Sequence, residues 1–148
     1  MDGKYRVLGE TLDIGIGNML DKFAREQGIP FPGGPKIESL ALEWLHDNPN
    51  PSLEGLELPY AVQGMDLAFS GVLNAALNLV EKGVPLPAVC WSLQEHTFAA
   101  CVEVAERAMA HAGKDELLLG GGVACNERLR SMCQILATCR DSTSHVPE

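Results

Sequence analysis

The chain has 148 residues, 46% of them hydrophobic, which is enough for one domain with a real core and too apolar for a disordered segment. With 11 Lys and Arg against 20 Asp and Glu the formal net charge is −9, which excludes a phosphate-backbone grip built from this chain's own cations. No apolar run approaches the ~20 residues of a bilayer span, and the start, Met1 to Leu8, has no signal-peptide core, so a cytoplasmic home without membrane contact is expected.

In chain order, Tyr5 to Leu8 reads as a strand, ended by Gly9-Glu10-Thr11. Thr11 or Asp13 is then placed to cap a helix running to Glu26, with Ile14, Met19, Leu20 and Phe23 on its apolar side and Gly28 as its stop. Ile29 to Pro35 holds three prolines and two glycines, a rigid exposed turn. A second helix is expected from Pro35 to His46, then a loop over 47–51 and a short extended pair within Glu57 to Phe69. Ser70 and Gly71 lead a helix to Lys82, and Gly83 to Pro87 breaks it. The spacing of Leu93, Phe98, Val102 and Met109 predicts a long helix from Ala88 to Ala112 with those residues inward. Glu116 to Leu119 reads as a buried strand, followed by Gly120-Gly121-Gly122. A helix through Arg140 follows, with Leu129, Met132, Cys133 and Leu136 inward, and a further strand starts within Thr143 to Val146.

This order predicts an α/β fold divided into three stretches. Residues 1–34 supply a strand, a helix and the Pro-Gly-Gly turn; 35–112 form a large helical insertion; 113–148 supply strand, glycine turn, helix and strand. About three strands for so much helix leaves open sheet edges, which marks the chain as a piece of something larger.

The stretch richest in chemistry is Leu117 to Asn126. A strand running into glycines and then a helix start lets backbone approach a ligand and offers free N–H groups to an anion or a polar ring, with the Asn126 amide at hand for a ribose or base edge. The competing reading is a tight turn with Asn126 merely solvated. Asp21 is equally a solvated charge near Arg25, and Gly33-Gly34 equally a plain turn. Four histidines show no HxxxH or HxH spacing, and five cysteines form no CxxC pair, so free thiols and no metal site are expected. Glu95-His96 is an acid–imidazole pair whose members point apart on a helix, and Phe69-Ser70-Gly71 lacks the glycine a nucleophile elbow needs before its serine. These residues alone name no function.

Read together, six blocks resemble one family in order and spacing. They are Tyr5 to Asp13, Asp21-Lys22, Pro32 to Pro35, Gly64 to Gly71, Ser92 to Glu95, and Gly121 to Arg130. The chain resembles the TsaD family of tRNA threonylcarbamoyltransferases, once called glycoproteases, and most of all its archaeal members. The resemblance implies an actin-like ATPase (ASKHA) fold, of which this chain is part of the second lobe. It implies transfer of threonylcarbamoyl from threonylcarbamoyl-adenylate to adenosine 37 of tRNAs that read codons beginning with A. Asp21, Gly34, Glu38 and Asn126 match family positions that contact the adenylate, and Gly121-Gly122 resembles the adenosine motif. An iron or zinc ion is implied for the full-length member, held by an HxxxH motif and an Asp-Asn-Gly-Ala block that do not occur here, so no cofactor is expected in this chain. Implied partners are an ATP-like nucleotide, tRNA through the full enzyme, and the kinase and small subunits of a KEOPS-type complex. The alternative expectation is a non-catalytic fragment or paralogue that keeps a nucleotide pocket or a KEOPS contact surface. A metalloprotease reading lacks HExxH and any metal-ligand spacing.

Overall fold

The structure is a computed structural model that describes residues 5–139 and 143–145. In chain order it holds helix α1 (Ile16–Glu26), helix α2 (Gly34–Asp47), strands β1 (Val62–Gln63) and β2 (Asp66–Leu67), helix α3 (Ser70–Glu81) and helix α4 (Leu86–Ala112). Strand β3 (Glu116–Leu118), a 3-10 turn (Gly122–Cys125), helix α5 (Glu127–Cys139) and strand β4 (Thr143–His145) follow. The fold is mixed helix and strand. The expected ends at Arg140 and Val146 lie outside the described residues.

Helix α4 is the axis. Its residues from Ala88 to Gln94 are all buried, because α2, α3 and the segment bearing Leu56, Leu58 and Ala61 surround its first half. A helix apolar all round belongs inside a core rather than on a surface. Met19, Leu20 and Phe23 of α1 and Ile37 and Ala41 of α2 join this cluster, so 35–112 shares one core with the segment before it. Along α4, Leu93, Phe98 and Met109 point inward as expected and Val102 is partly buried. Gly113 closes the helix in the left-handed region at φ 64°.

Two small sheets replace the single sheet of about three strands. β1 and β2 form an antiparallel hairpin, and β3 pairs parallel with β4 in the register Leu117 to Ser144. The parallel pair is joined through α5, as a parallel connection requires a crossover.

Three expectations are corrected. Tyr5 to Leu8 is not a strand; it is coil, with Tyr5 100% and Val7 79% exposed. Pairing occurs further on, where Leu12 N–H donates to Leu67 O at 2.7 Å and Leu67 N–H donates to Glu10 O at 3.0 Å. β2 is two residues long and bridges this segment only at Thr11, so no described strand pairs with Tyr5 to Leu8. Gly9 is needed there, since a Cβ would stand 1.8 Å from Met65 O.

Neither Thr11 nor Asp13 caps α1, whose N-cap is Gly15 with no side-chain bond. Asp13 instead accepts from Phe69 N–H and Ser70 N–H, both at 2.9 Å, and so caps α3 from 56 residues away. β3 is not a buried strand. Leu117 and Leu119 face the small cluster of Phe98, Leu129 and Cys133, while Leu118 is 71% exposed, the alternation of a sheet covered on one side.

Candidate functional site

Three separate segments converge on one cleft of about 350 Å³. α1 contributes Gly17 and Asp21, the turn into α2 contributes Phe31, Gly34 and Glu38, and the 3-10 turn before α5 contributes Gly122, Cys125 and Asn126. Asp21, Gly34, Glu38, Gly122 and Asn126, singled out from the sequence, thus line the same cavity. Gly121 is not among its lining residues; it makes the bend that admits the 3-10 turn, at φ 93° and ψ 172°, a backbone region open essentially to glycine.

The two adjacent glycines of the Pro-Gly-Gly turn differ. Gly33 is buried against α1, where a Cβ would stand 2.3 Å from Ala24 Cβ, and its N–H donates to Asp21 Oδ1 at 2.9 Å. Gly34 opens onto the cleft with nothing within 4 Å of where its Cβ would be. Asp21 is therefore neither a bare solvated charge nor wholly free for a ligand. One carboxylate oxygen fixes the turn that carries Gly34, and the group lines the cavity.

Asn126 lies one residue earlier than the first helical turn expected for it. It is the N-cap of α5: Oδ1 accepts from Arg128 N–H at 2.9 Å and Leu129 N–H at 3.2 Å, and Nδ2 donates to Gln94 Oε1 at 2.7 Å. Both acceptor sites of Oδ1 are used, which leaves one amide hydrogen for any ligand. Glu38 Oε2 reaches across from α2 to accept Glu127 N–H at 2.7 Å. The first three N–H groups of α5 are thus occupied by protein acceptors, so this helix end is not the free anion cradle the sequence suggested. Among the described residues no Lys, Arg or His lines the cleft, and the charged groups that line it are the carboxylates of Asp21 and Glu38.

Sequence reasoning counted Ser92 to Glu95 among the family blocks and put Leu93 inward but gave Gln94 and Glu95 no role, and the structure makes these two the support of this turn. Gln94, 3% exposed, holds the Asn126 amide, and Glu95 takes the Arg128 guanidinium in a two-point pair at 2.7 and 3.0 Å. His96 turns the other way, with Nε2 accepting Leu58 N–H at 3.3 Å, so the Glu95-His96 pair is split as expected. A run of polar residues inside an otherwise apolar helix was the available signal.

A model of the TsaD family, described as tRNA N6-adenosine threonylcarbamoyltransferase, matches residues 1–148. The chain belongs to the TsaD family. It is 54% identical over 148 residues to a probable bifunctional tRNA threonylcarbamoyladenosine biosynthesis protein of Methanoculleus marisnigri, covering 100% of this chain and 26% of that protein. It is 56% identical over 137 residues to a protein of the same description from Thermoplasma acidophilum, covering 93% of this chain and 24% of that one. A tRNA N6-adenosine threonylcarbamoyltransferase of Thermococcus kodakarensis is 56% identical over 146 residues, covering 98% of this chain and 42% of its own length. The chain therefore spans between about a quarter and two fifths of these TsaD relatives.

The described residues do not fit the metal ion that TsaD membership implies: no three His, Cys, Asp or Glu side chains among them converge, and His96 is engaged by Ser92 and Leu58. No helix among them is long and apolar enough to cross a membrane. All five cysteines are free, and burial pushes the Cys90 and Cys101 thiols up to about 12.

Proposed function

We propose that this chain is the nucleoside-holding part of a tRNA N6-adenosine threonylcarbamoyltransferase, a segment of the second lobe of an actin-like fold in which 35–112 is the helical insertion. The observation that carries the reading is the meeting of Asp21, Gly34, Glu38, Gly122 and Asn126, distant in sequence, around one cavity of about 350 Å³. That size falls in the lower part of the range for small-molecule sites, about 300–1,000 Å³.

The chemistry of the cleft selects which end of threonylcarbamoyl-adenylate lies here. Ribose hydroxyls donate to the Asp21 and Glu38 carboxylates, the remaining Asn126 amide hydrogen donates to an acceptor, and the open sides of Gly34 and Gly122 admit the ligand close to the backbone. With two carboxylates and no cation among the described residues that line it, the cleft disfavours phosphate, so the phosphate and the reacting carbonyl point away towards parts of the full protein. Those parts would carry the transfer, the iron or zinc ion, the grip on tRNA and the KEOPS-type contacts. The net charge of −9 offers tRNA no attraction of its own.

The test is a titration of the chain with adenosine and with adenosine monophosphate, followed by the backbone amide NMR signals of Gly34, Gly122 and Asn126. Adenosine is expected to bind at least as well as its monophosphate. Gly34→Ala and Gly122→Ala, whose new Cβ atoms meet nothing in the protein, are expected to weaken binding without unfolding the chain. Binding that leaves these three amides unmoved, or that strengthens steeply with added phosphates, contradicts the reading.

A further inference from the structure

Phe31 is a large apolar side chain, 83% exposed, on the wall of the cleft. A scattered exposed apolar residue is ordinary. This one stands on backbone that is held in place on both sides. Ile29 N–H donates to Ala24 O at 2.9 Å, Gly33 N–H donates to Asp21 Oδ1 at 2.9 Å, and Gly33 is packed against Ala24. Pro30 and Pro32 flank Phe31, each with φ restricted by its ring. The freedom left to Phe31 is rotation of its own side chain, so the ring is presented at low entropic cost. Val123 and Gly122 line the same cavity from the 3-10 turn, and the carboxylates of Asp21 and Glu38 line it too.

We propose that Phe31 is a base-recognition residue that stacks on the purine ring of the nucleoside. The inference rests on the nucleoside reading of the cleft and adds to it the group that recognises the base. A planar heteroaromatic ring carrying a hydroxylated sugar matches an aromatic face placed beside two carboxylates. Among the described residues that line the cavity, Phe31 is the only aromatic one.

The test uses the 148-residue chain with two probes, adenosine and methyl riboside, and the variants F31A, F31L and F31W. Stacking on an aromatic side chain predicts an adenosine dissociation constant raised at least about fivefold in F31A. F31L, which keeps apolar bulk without a π-face, is expected to show most of that loss, and F31W to stay within about twofold of the parent. Methyl riboside, which has no base, is expected to shift the Asp21 and Glu38 signals equally in all four proteins. Unchanged adenosine affinity in F31A, with parent binding intact, overturns the stacking role and leaves the cleft reading standing. Equal weakening of riboside and adenosine in F31A also overturns it, since the ring would then act by holding the turn. Absence of adenosine binding to the parent chain overturns both readings.

Discussion

Gly33 and Gly34 are neighbours in sequence, yet adding one methyl group to each has opposite consequences. At Gly33 the new Cβ falls 2.3 Å from Ala24 Cβ, whereas carbon atoms in contact prefer about 3.5–4.0 Å. Ala24 is 0% exposed inside α1, so the overlap is relieved only by parting the start of α2 from α1. That movement also lengthens the 2.9 Å bond from Gly33 N–H to the Asp21 carboxylate. Overpacking costs about 1–3 kcal/mol and loss of a bond to a charged acceptor a further ~1.5 kcal/mol, so Gly33→Ala is expected to lose roughly 2.5–4.5 kcal/mol. The Gly33 backbone itself, at φ −82° and ψ −28°, suits alanine, so the cost is steric. Gly34 is the first residue of α2 and its Cβ meets nothing, so Gly34→Ala is expected to be neutral or up to ~0.5 kcal/mol stabilising through helix propensity. In urea, with a slope near 2 kcal/mol/M, the first variant should unfold about 1–2 M earlier than the parent and the second at about the same concentration. Far-UV circular dichroism across a urea series reads both. Coincident midpoints for the two variants would refute the assignment of Gly33 to packing and Gly34 to the open cleft.

Asp13 offers a pH test. Burial raises its carboxyl, but the amides of Phe69, Ser70 and Ile14 lower it further, to about 2 from 3.8. Its folded value is depressed, so its stabilisation is full above the unfolded value and disappears as pH falls from about 4 to about 2. The carboxylate is exposed, so the amount is discounted to ~1 kcal/mol; D13N should flatten this part of the acid limb in urea titrations, and an unchanged limb would contradict the cap. A double-mutant cycle on Glu95 and Arg128 should give a coupling of about 1 kcal/mol, and a value near zero would show the pair to be incidental. In the native chain Cys125 and Cys139 should react readily with a disulfide reagent at pH 8, while Cys90, Cys101 and Cys133 wait for unfolding; five fast thiols would contradict the burial. Asn126→Ala should cost about 2 kcal/mol, from the lost cap and the stranded Gln94 acceptor, so a loss of binding in that variant does not identify a ligand contact unless stability is measured beside it.

The helices were legible in the sequence because their signals are local. Apolar spacing located α1 and α4 and their ends at Glu26 and Ala112, though α1 begins at Ile16 and α4 at Leu86 rather than where the caps and breakers suggested. Gly28 and Gly113, at φ 76° and 64°, follow those ends where the left-handed backbone favours glycine. The resemblance in six blocks identified the family and grouped Asp21, Gly34, Glu38 and Asn126 as contacts of one ligand. The strands were less legible. A strand exists only with a partner, and neither the unpaired run at Tyr5 to Leu8 nor the one-sided burial of β3 is written in its own residues.

The sequence by itself determined the helices, the stop glycines, the free thiols and the family, since each rests on residue type and near-neighbour spacing or on motifs in register. Tertiary structure alone decided the uses to which the polar groups are put. Asp13, expected to serve α1, caps α3; Asp21 divides its carboxylate between a turn and a cleft; Glu38 and Asn126 occupy the N-terminus of α5; and Gln94 and Glu95 support that turn from the middle of α4. A buried or half-buried donor or acceptor must find a partner, and which partner it finds is set by the segments that the core brings alongside it, not by its neighbours in the chain.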